Sequence, residues 1–443
     1  MGIQQMIMAA GGLDEYLVAN SLRFNSGDSA YLSWTPSSAG NRETWTWSSW
    51  VKRGKIDATR RTLIRTNTTE THISFAETAQ GNAEALIVYG VGAYLVSTPV
   101  YNDASDWYHI VFAWDTTQAT STDRIKVYVN GVQITSWSNA NAAYPSRYAD
   151  SGINAASAHG LGANSAGGEL HDGYLADVHF VDGTALDASS FGETVDSLWV
   201  PKEYSGSHGT NGYHLKFNNT SDLGEDSSGN GNDWTANSFS TSAGAGNDVL
   251  ADSPTAYDDG GNGVGNYATL LDKYVTVKTR LTVSNGNLDV EFHNSNSSSS
   301  ALSSIAVSSG KWYCEFTASQ TGNHYAYVGI ASTSITNVDS LGYGDSYGYL
   351  NSNGNKVSNG SSSSYGATWT SGDVIGVALD MDTGTLVFYK NNSSQGTAYT
   401  SISGTYIIGC TGFDNWKFTS NFGQRAFAYT PPTGYKALNS YNT

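Results

Sequence analysis

Apolar and polar residues alternate along this chain in short runs divided by turn residues, most clearly in Gly372 to Asn392, GDVIGVALDMDTGTLVFYKNN. Ile375, Val377, Leu379 and Met381 fall on one side of an extended strand. Asp382-Thr383-Gly384 supplies the turn, and Leu386 and Phe388 alternate with Val387 and Tyr389 on the return. The pattern predicts a core hairpin. The same grammar appears much earlier in WYHIVFAWD, ending at Asp115, and RIKVYVNG, from Arg124 to Asn130-Gly131, so two sandwiches are expected.

From Ser21 onward strand follows strand. In TWTWSSWVKR, Trp45, Trp47 and Val51 alternate with Thr46, Ser48 and Lys52, and TLIRT, HISFAE, ALIVYG, AYLVS and DGYLADVHFVDG follow with turn residues between them. Turn signals recur about every 8 to 12 residues, the spacing of a sandwich. Alternation lapses from Thr241 to Asp272 in a Gly- and Asp-rich run that reads as a connector lying over a surface. It resumes with RLTVSNGNLDVEF, where Asn285-Gly286 signals a hairpin. The expected fold is all-β, with two tandem antiparallel β-sandwiches. The expected divisions are an arm at 1–18, a first sandwich at 19–240, a connector at 241–273 and a second sandwich at 274–443.

Composition narrows the function. The chain has 443 residues, 49 glycines and only 14% charged residues, which suits short strands and tight turns rather than helices. Lys and Arg number 22 against 39 Asp and Glu, a net charge of 22 − 39 = −17. A phosphate backbone is therefore repelled, so nucleic acid is not an expected partner. No run approaches the roughly 18 apolar residues of a membrane span. The N-terminal MGIQQMIMAAGGLDEY has no Lys or Arg and too short an apolar stretch for a signal peptide. Ile3, Met6, Ile7 and Met8 instead suggest a docking arm. Cys314 and Cys410 both fall in expected strands, where buried free thiols are the simpler reading than a disulfide.

The segments SLRFN, WTWSSWVKR, WYHIVFAWD, KVYVNG and DGYLADVHFVDGTAL occur in the order seen in laminin-G-like, concanavalin-A-like jelly rolls, over about residues 20 to 187. In particular the chain resembles the version found in tailed-phage virion proteins, where this last strand is followed by a SFGE and WVPK extension, here Ser190 to Glu193 and Trp199 to Lys202. GKWYCEF, VGIAS, GDVIGVALD and NFGQ resemble a SPRY-type sandwich over about residues 274 to 440. The resemblance implies a virion-surface structural protein made in the host cytoplasm, of tail-fibre or adhesin type. It would be held to other virion proteins by the arm, would touch host-surface polysaccharide through its loops, and would form a homo-oligomer, with a trimer favoured. The alternative is a capsid-decorating, head-fibre or tail-assembly protein with a purely architectural role.

No enzymatic activity is expected. The paired carboxylates of a retaining glycosidase are missing, as is HExxH. Gly344-Asp345-Ser346-Tyr347-Gly348 matches G-x-S-x-G, but no helix is expected after it, so it reads as a turn. For glycan contact, aromatic faces flanked by amides and carboxylates are wanted. Tyr343, Asp345, Tyr347, Tyr349, Asn353 and Tyr365 form the stronger candidate stretch, and Trp137, Tyr144 and Tyr148 the weaker. No cofactor is required. Asp222, Asp226, Asn230 and Asp233 offer the hard oxygen ligands that Ca²⁺ takes, although the same residues build solvated turns.

Overall fold

The computed structural model describes residues 16–77, 82–272, 278–293, 297–320, 324–335 and 338–443. Ile3, Met6, Ile7 and Met8 of the expected docking arm lie outside the described residues. The chain divides into two compact units, one of residues 1–241 and 247–255, the other of residues 242–246 and 256–443. Helix among the described residues is limited to 3₁₀ turns at Ser121–Asp123, Ala188–Ser190 and Lys278–Arg280.

The strands of the first unit are β1 (Ser21–Phe24), β2 (Tyr31–Trp34), β3 (Thr44–Arg53), β4 (Arg61–Thr66), β5 (Thr71–Glu77), β6 (Asn82–Gly90), β7 (Ala93–Val100), β8 (Trp107–Asp115), β9 (Ile125–Val129), β10 (Val132–Gln133), β11 (His159–Leu161), β12 (Gly173–Asp182), β13 (Gly192–Val195), β14 (Leu198–Pro201), β15 (Tyr213–Leu215), β16 (Thr235–Asn237) and β17 (Val249–Leu250). They build a sheet in the order β10-β9-β8-β3-β12-β1-β17, with β15 also paired to β12. A second sheet runs β16-β2-β11-β4-β5-β6-β7, and β13 and β14 form a separate hairpin. Between the two large sheets lies an aromatic core. Trp45 and Trp47 of β3 sit opposite Trp114 and Phe112 of β8, and Trp45 stacks on Trp114 at 5.8 Å. Asn130 and Gly131 turn β9 into β10 with both φ angles positive, at 48° and 78°, the twist that a two-residue hairpin turn needs.

The outer face of the first sheet is covered along β3 and β12. The alternation in β3 suggested a polar outer row, yet Thr46, Ser48, Trp50 and Lys52 are all buried. Three pieces of the chain's own length supply the cover. Val18 is tied by its carbonyl to Thr255 Oγ1 at 3.0 Å. The stretch from Leu186 through β13 and β14 to Tyr204 packs Phe191, Trp199 and Tyr204 against Val111 and Val181. Residues 247–255 form the third piece.

This corrects the expected connector at 241–273. Its first carboxylates are ion-pair partners: Asp248 Oδ1 takes Arg23 Nη2 at 2.9 Å, and Asp252 Oδ2 takes Lys52 Nζ at 2.8 Å with both side chains 0% exposed. Leu250 and Val249 pair with β1. The later part belongs to the second unit, where Tyr267, Ala268 and Leu270 are buried. Gly and Asp obscured the segment because its order comes from distant cations rather than from local alternation.

The second unit contains β18 (Leu270–Leu271), β19 (Leu281–Ser284), β20 (Asp289–Phe292), β21 (Ser299–Val307), β22 (Lys311–Gln320), β23 (Tyr327–Ser332), β24 (Ser346–Leu350), β25 (Lys356–Ser358), β26 (Ser361–Ser363), β27 (Val374–Asp380), β28 (Thr385–Lys390), β29 (Ser393–Tyr399), β30 (Tyr406–Gly412) and β31 (Lys417–Asn421). Two sheets result, β18-β21-β30-β23-β24-β25-β26 and β19-β20-β31-β22-β27-β28-β29. The expected hairpin is β27 and β28, with Val377 opposite Phe388 and Leu379 opposite Leu386. Asp380 Oδ1 accepts the Asp382 and Thr383 amides at 3.0 Å each, which closes its turn. Gly384 ends that turn at φ 66°, where a Cβ would stand 2.5 Å from the Ile402 carbonyl oxygen, so only glycine fits.

Candidate functional site

The segment from β23 to β24 carries three of the six tyrosines singled out in the sequence, and the fold sorts them into two environments. β24 is a strand, so Tyr347 and Tyr349, two residues apart, share one face. That face looks onto the second sheet. Tyr349 is 0% exposed, meets Phe388 at 5.3 Å and donates its hydroxyl to the Ala367 carbonyl. Tyr347 meets Tyr399 at 4.7 Å. Tyr365 is held by its hydroxyl to the Gly396 carbonyl at 2.6 Å. Asp345 accepts the Tyr406 hydroxyl at 3.1 Å, and Asn353 closes its own turn onto the Asn355 amide at 3.0 Å. These five residues build the sandwich and its turns rather than a ligand surface.

Tyr343 behaves differently. It is 53% exposed, as is Tyr325, and the two line a groove of about 580 Å³ together with Ser298, Asp339 and Phe413. The floor is firm, because Tyr327 and Val338 belong to the buried cluster of Leu341, Leu350, Val357 and Ile407. Arg280 lies 3.6 Å from Asp339. The groove therefore offers two exposed phenol rings, a carboxylate and hydroxyls on a rigid base, the mixture that stacks on sugar C–H faces and hydrogen-bonds hydroxyls. Tyr325 and Phe413 escaped notice in the sequence; the clue to Tyr325 is a bulky aromatic just before a strand whose next apolar residues already fill the core.

In the first unit, Trp137 donates Nε1–H to the Tyr144 hydroxyl at 2.9 Å, and both pack against the core. Tyr148 is 57% exposed with the Arg147 guanidinium 4.7 Å over its ring. The pair is a packing unit, and Tyr148 is a solitary surface ring.

The loop proposed for Ca²⁺ is occupied by its own donors. Asp226 accepts the amides of His214 and Ser228 on Oδ1, at 2.9 and 2.8 Å, and the Ser228 hydroxyl and Asn232 amide on Oδ2, at 2.9 and 3.0 Å. Asp233 takes the Asp226 amide at 2.8 Å and Asp222 the Gly224 amide at 3.2 Å. Asn230 turns its amide nitrogen to the Gly209 and Gly212 carbonyls at 2.7 and 2.9 Å. Asp222, Asp226, Asn230 and Asp233 thus form a turn network, the other reading of these residues.

A different cluster does converge. Antiparallel pairing sets His179 of β12 opposite His214 of β15, and their rings stack at 3.8 Å. His208, in the segment before β15, brings Nε2 to 3.1 Å from His179 Nδ1. Asp177 Oδ1 lies 2.7 Å from His214 Nε2 and accepts the Tyr16 hydroxyl at 2.7 Å. Burial holds the His208 and His214 imidazoles down to about 4, so both are neutral at pH 7. For Asp177 burial acts upward, but His179 and His214 hold its carboxyl well below the usual range.

Family comparison agrees with the two halves. A model described as the Concanavalin A-like lectin/glucanases superfamily matches residues 25–190, and the SPRY domain model matches residues 311–425. The chain is a concanavalin A-like domain followed by a SPRY domain. Among solved structures, the crystal structure of the SPRY domain of human HERC1 is similar at 22% identity and a TM-score of 0.31, covering 35% of this chain and 99% of that one. A human SPRY domain is similar at 16% identity and 0.28, covering 33% and 98%. The stonustoxin structure is similar at 19% and 0.29, covering 35% and 27%. No curated protein matches the chain.

Within the SPRY domain the G-x-S-x-G match is a turn leading into a strand. Ser346 is 0% exposed, donates to the Tyr343 carbonyl at 2.6 Å and accepts the Gly342 amide at 2.9 Å, so it cannot reach a substrate. Cys314 and Cys410 are buried free thiols, both pushed up by burial. No helix among the described residues is long and apolar enough to cross a membrane.

Proposed function

We propose that the protein is a surface recognition component of a tailed-phage virion and that the SPRY-domain groove is its contact with host-surface polysaccharide. The observation that carries the reading is the pairing of two half-exposed tyrosines, Tyr325 and Tyr343, over one groove with Asp339 and Ser298 beside them. Further support comes from the SFGE and WVPK extension after β12, which resembles tailed-phage virion proteins, and from the net charge of −17, which argues against nucleic acid. The role is adhesion without turnover. Residues before Tyr16 attach the protein to other virion proteins, and a homo-oligomer, a trimer in this reading, multiplies weak sugar contacts by avidity.

The test is retention of the purified full chain on a glycan array and on polysaccharide from candidate host cells. An aromatic face over a sugar is worth about 0.5–1.5 kcal/mol, so Tyr325→Ala and Tyr343→Ala each weaken binding roughly twofold to tenfold. Both rings are half-exposed, so neither change disturbs the core. If no polysaccharide is retained, or the double variant binds as the parent does, the groove is not the contact; an assembly defect on deletion of the N-terminal segment would then favour an architectural protein.

A further inference from the structure

The histidine cluster on the outer face of the first sheet is used by nothing described so far. His179, His208 and His214 are 1%, 9% and 7% exposed, and one ring nitrogen of each lies within 4.8 Å of the other two. We propose that these three imidazoles bind one divalent transition-metal ion, Zn²⁺ in the test below, with Asp177 orienting two of them.

The nitrogen inventory leads there. A carboxylate only accepts, so the Asp177 oxygen 2.7 Å from His214 Nε2 fixes the proton of that ring on Nε2 and leaves Nδ1 as its lone-pair nitrogen. The same oxygen stands 3.4 Å from His179 Nε2, an atom that is buried and makes no hydrogen bond. A proton placed there turns toward Asp177, and His179 Nδ1 then also becomes a lone-pair nitrogen. That atom already faces His208 Nε2 at 3.1 Å. Zinc–nitrogen bonds of about 2.0–2.1 Å in a tetrahedron set the nitrogens roughly 3.4 Å apart, close to this spacing. The arrangement is the carboxylate–histidine–metal pattern in which an outer carboxylate sets tautomer and ring direction. Imidazole ligands suit zinc and its neighbours rather than calcium.

The backbone is shaped for it. The β3–β12 register slips between Ala176 and His179, and Asp177 within that bulge has φ 50°. Bulges re-aim side chains, and a non-glycine residue at positive φ is kept where something else requires it. Three protein ligands leave one position for water. The ion would clasp the Tyr204–Gly212 segment to the sheet beneath it.

The test uses the full chain, stripped with a chelator and dialysed, then titrated with Zn²⁺ against a chromophoric competitor and with Co²⁺ for its visible spectrum. One Zn²⁺ per chain and an intense tetrahedral Co²⁺ band are expected. His208→Gln should weaken Zn²⁺ at least 100-fold, and His208→Cys, which restores a ligand atom, should recover most of it. Asp177→Asn should weaken it about 10- to 100-fold. His293→Gln, at an exposed histidine of the SPRY domain, should change nothing, and circular dichroism confirms that each variant is folded. Absence of Zn²⁺ binding by the parent chain overturns the proposal. So does equal affinity in His208→Gln, and so does a Co²⁺ spectrum that His208→Gln leaves unaltered.

Discussion

Acid should unfold the concanavalin A-like domain well before the SPRY domain, because the histidines are so unevenly placed. Of the nine in the chain, His72, His109, His159, His171, His179, His208 and His214 are buried in the first domain, whereas His293 and His324 of the SPRY domain are exposed. Three of the buried rings make the argument. His109 accepts Trp199 Nε1–H on Nδ1 at 2.9 Å and pairs Nε2 with Ser48 at 2.9 Å. His159 accepts the Asn154 amide on Nε2 at 3.1 Å and pairs Nδ1 with the Ser157 carbonyl at 2.7 Å. In each, a second proton would set donor against donor. His171 sits edge-on to Phe24, with Arg53 and Arg61 near enough to repel an added charge. Burial, the leading cause for all three, lowers them to about 3, 4 and 3 respectively.

A folded-state value below the unfolded one, about 6.5, means that the unfolded chain takes up protons first. The stabilising effect is complete above pH 6.5 and is lost as pH falls toward 3–4. At pH 5 each ring forfeits about 2 kcal/mol, from 1.5 pH units at about 1.36 kcal/mol per unit. The three together forfeit about 6 kcal/mol, comparable with the whole stability of a domain, about 5–15 kcal/mol. Loss of negative charge acts the other way, but ordinary carboxylates titrate near 4, below this window. For a domain of this size 6 kcal/mol corresponds to a fall in Tm of roughly 12–24 °C. Thermal melts followed by tryptophan fluorescence at pH 7, 6 and 5 read this domain, since all but Trp312, Trp369 and Trp416 of the twelve tryptophans lie in it. The SPRY transition should move little. His159→Gln should remove about a third of the share carried by these three rings. A fall of less than about 5 °C between pH 7 and 5 would refute the reasoning.

Three further outcomes can be checked directly. Asp252→Ala removes the buried carboxylate 2.8 Å from the Lys52 ammonium and should cost about 3–5 kcal/mol in denaturant unfolding, while Asp150→Ala, at the exposed pair with Arg42, should cost less than about 1 kcal/mol. Glu315→Ala strands the Ala428 and Tyr429 amides, which its carboxylate accepts at 2.7 and 3.0 Å, so the SPRY domain should lose about 2–4 kcal/mol and both amides should exchange faster with deuterium. Cys314 and Cys410, fully buried, should ignore an aromatic disulfide reagent in the native protein and react at once when it is unfolded.

What could be read from the sequence was whatever is decided locally. The β27–β28 hairpin and the β8, β9 and β10 run announce themselves by alternation and by Asn-Gly or Asp-Thr-Gly turns, and the structure keeps their registers. The strand at Tyr347 and Tyr349 is hidden in the sequence because the glycines and asparagines around them have turn composition; Gly348 lies opposite Gly329 across the β23–β24 pair. The 241–273 stretch is hidden for a long-range reason. Asp248 and Asp252 look like solvated turn residues until Arg23 and Lys52, more than 190 positions away in sequence, supply their charges. The histidine cluster gave no signal in spacing, since the β12–β15 pairing brings His179 and His214 together and His208 reaches them from the segment before β15.

The distribution of exposed apolar surface argues for where recognition can occur. In the concanavalin A-like domain the outer face of the larger sheet along β3 and β12, a natural platform in a sandwich, is spent on the chain's own covering segments, so those side chains are unavailable to a partner. What remains there, Leu17, Tyr89, Val100, Val132 and Tyr148, belongs to separate elements, and scattered single residues of this kind call for no partner. Among the described residues the other two large exposed side chains, Tyr325 and Tyr343, both fall on the SPRY domain and both line the same groove. The exposed rings coincide with a concavity, so under the proposed function the expected loss of binding falls on those two tyrosines rather than on Trp137, Tyr144 or Tyr148.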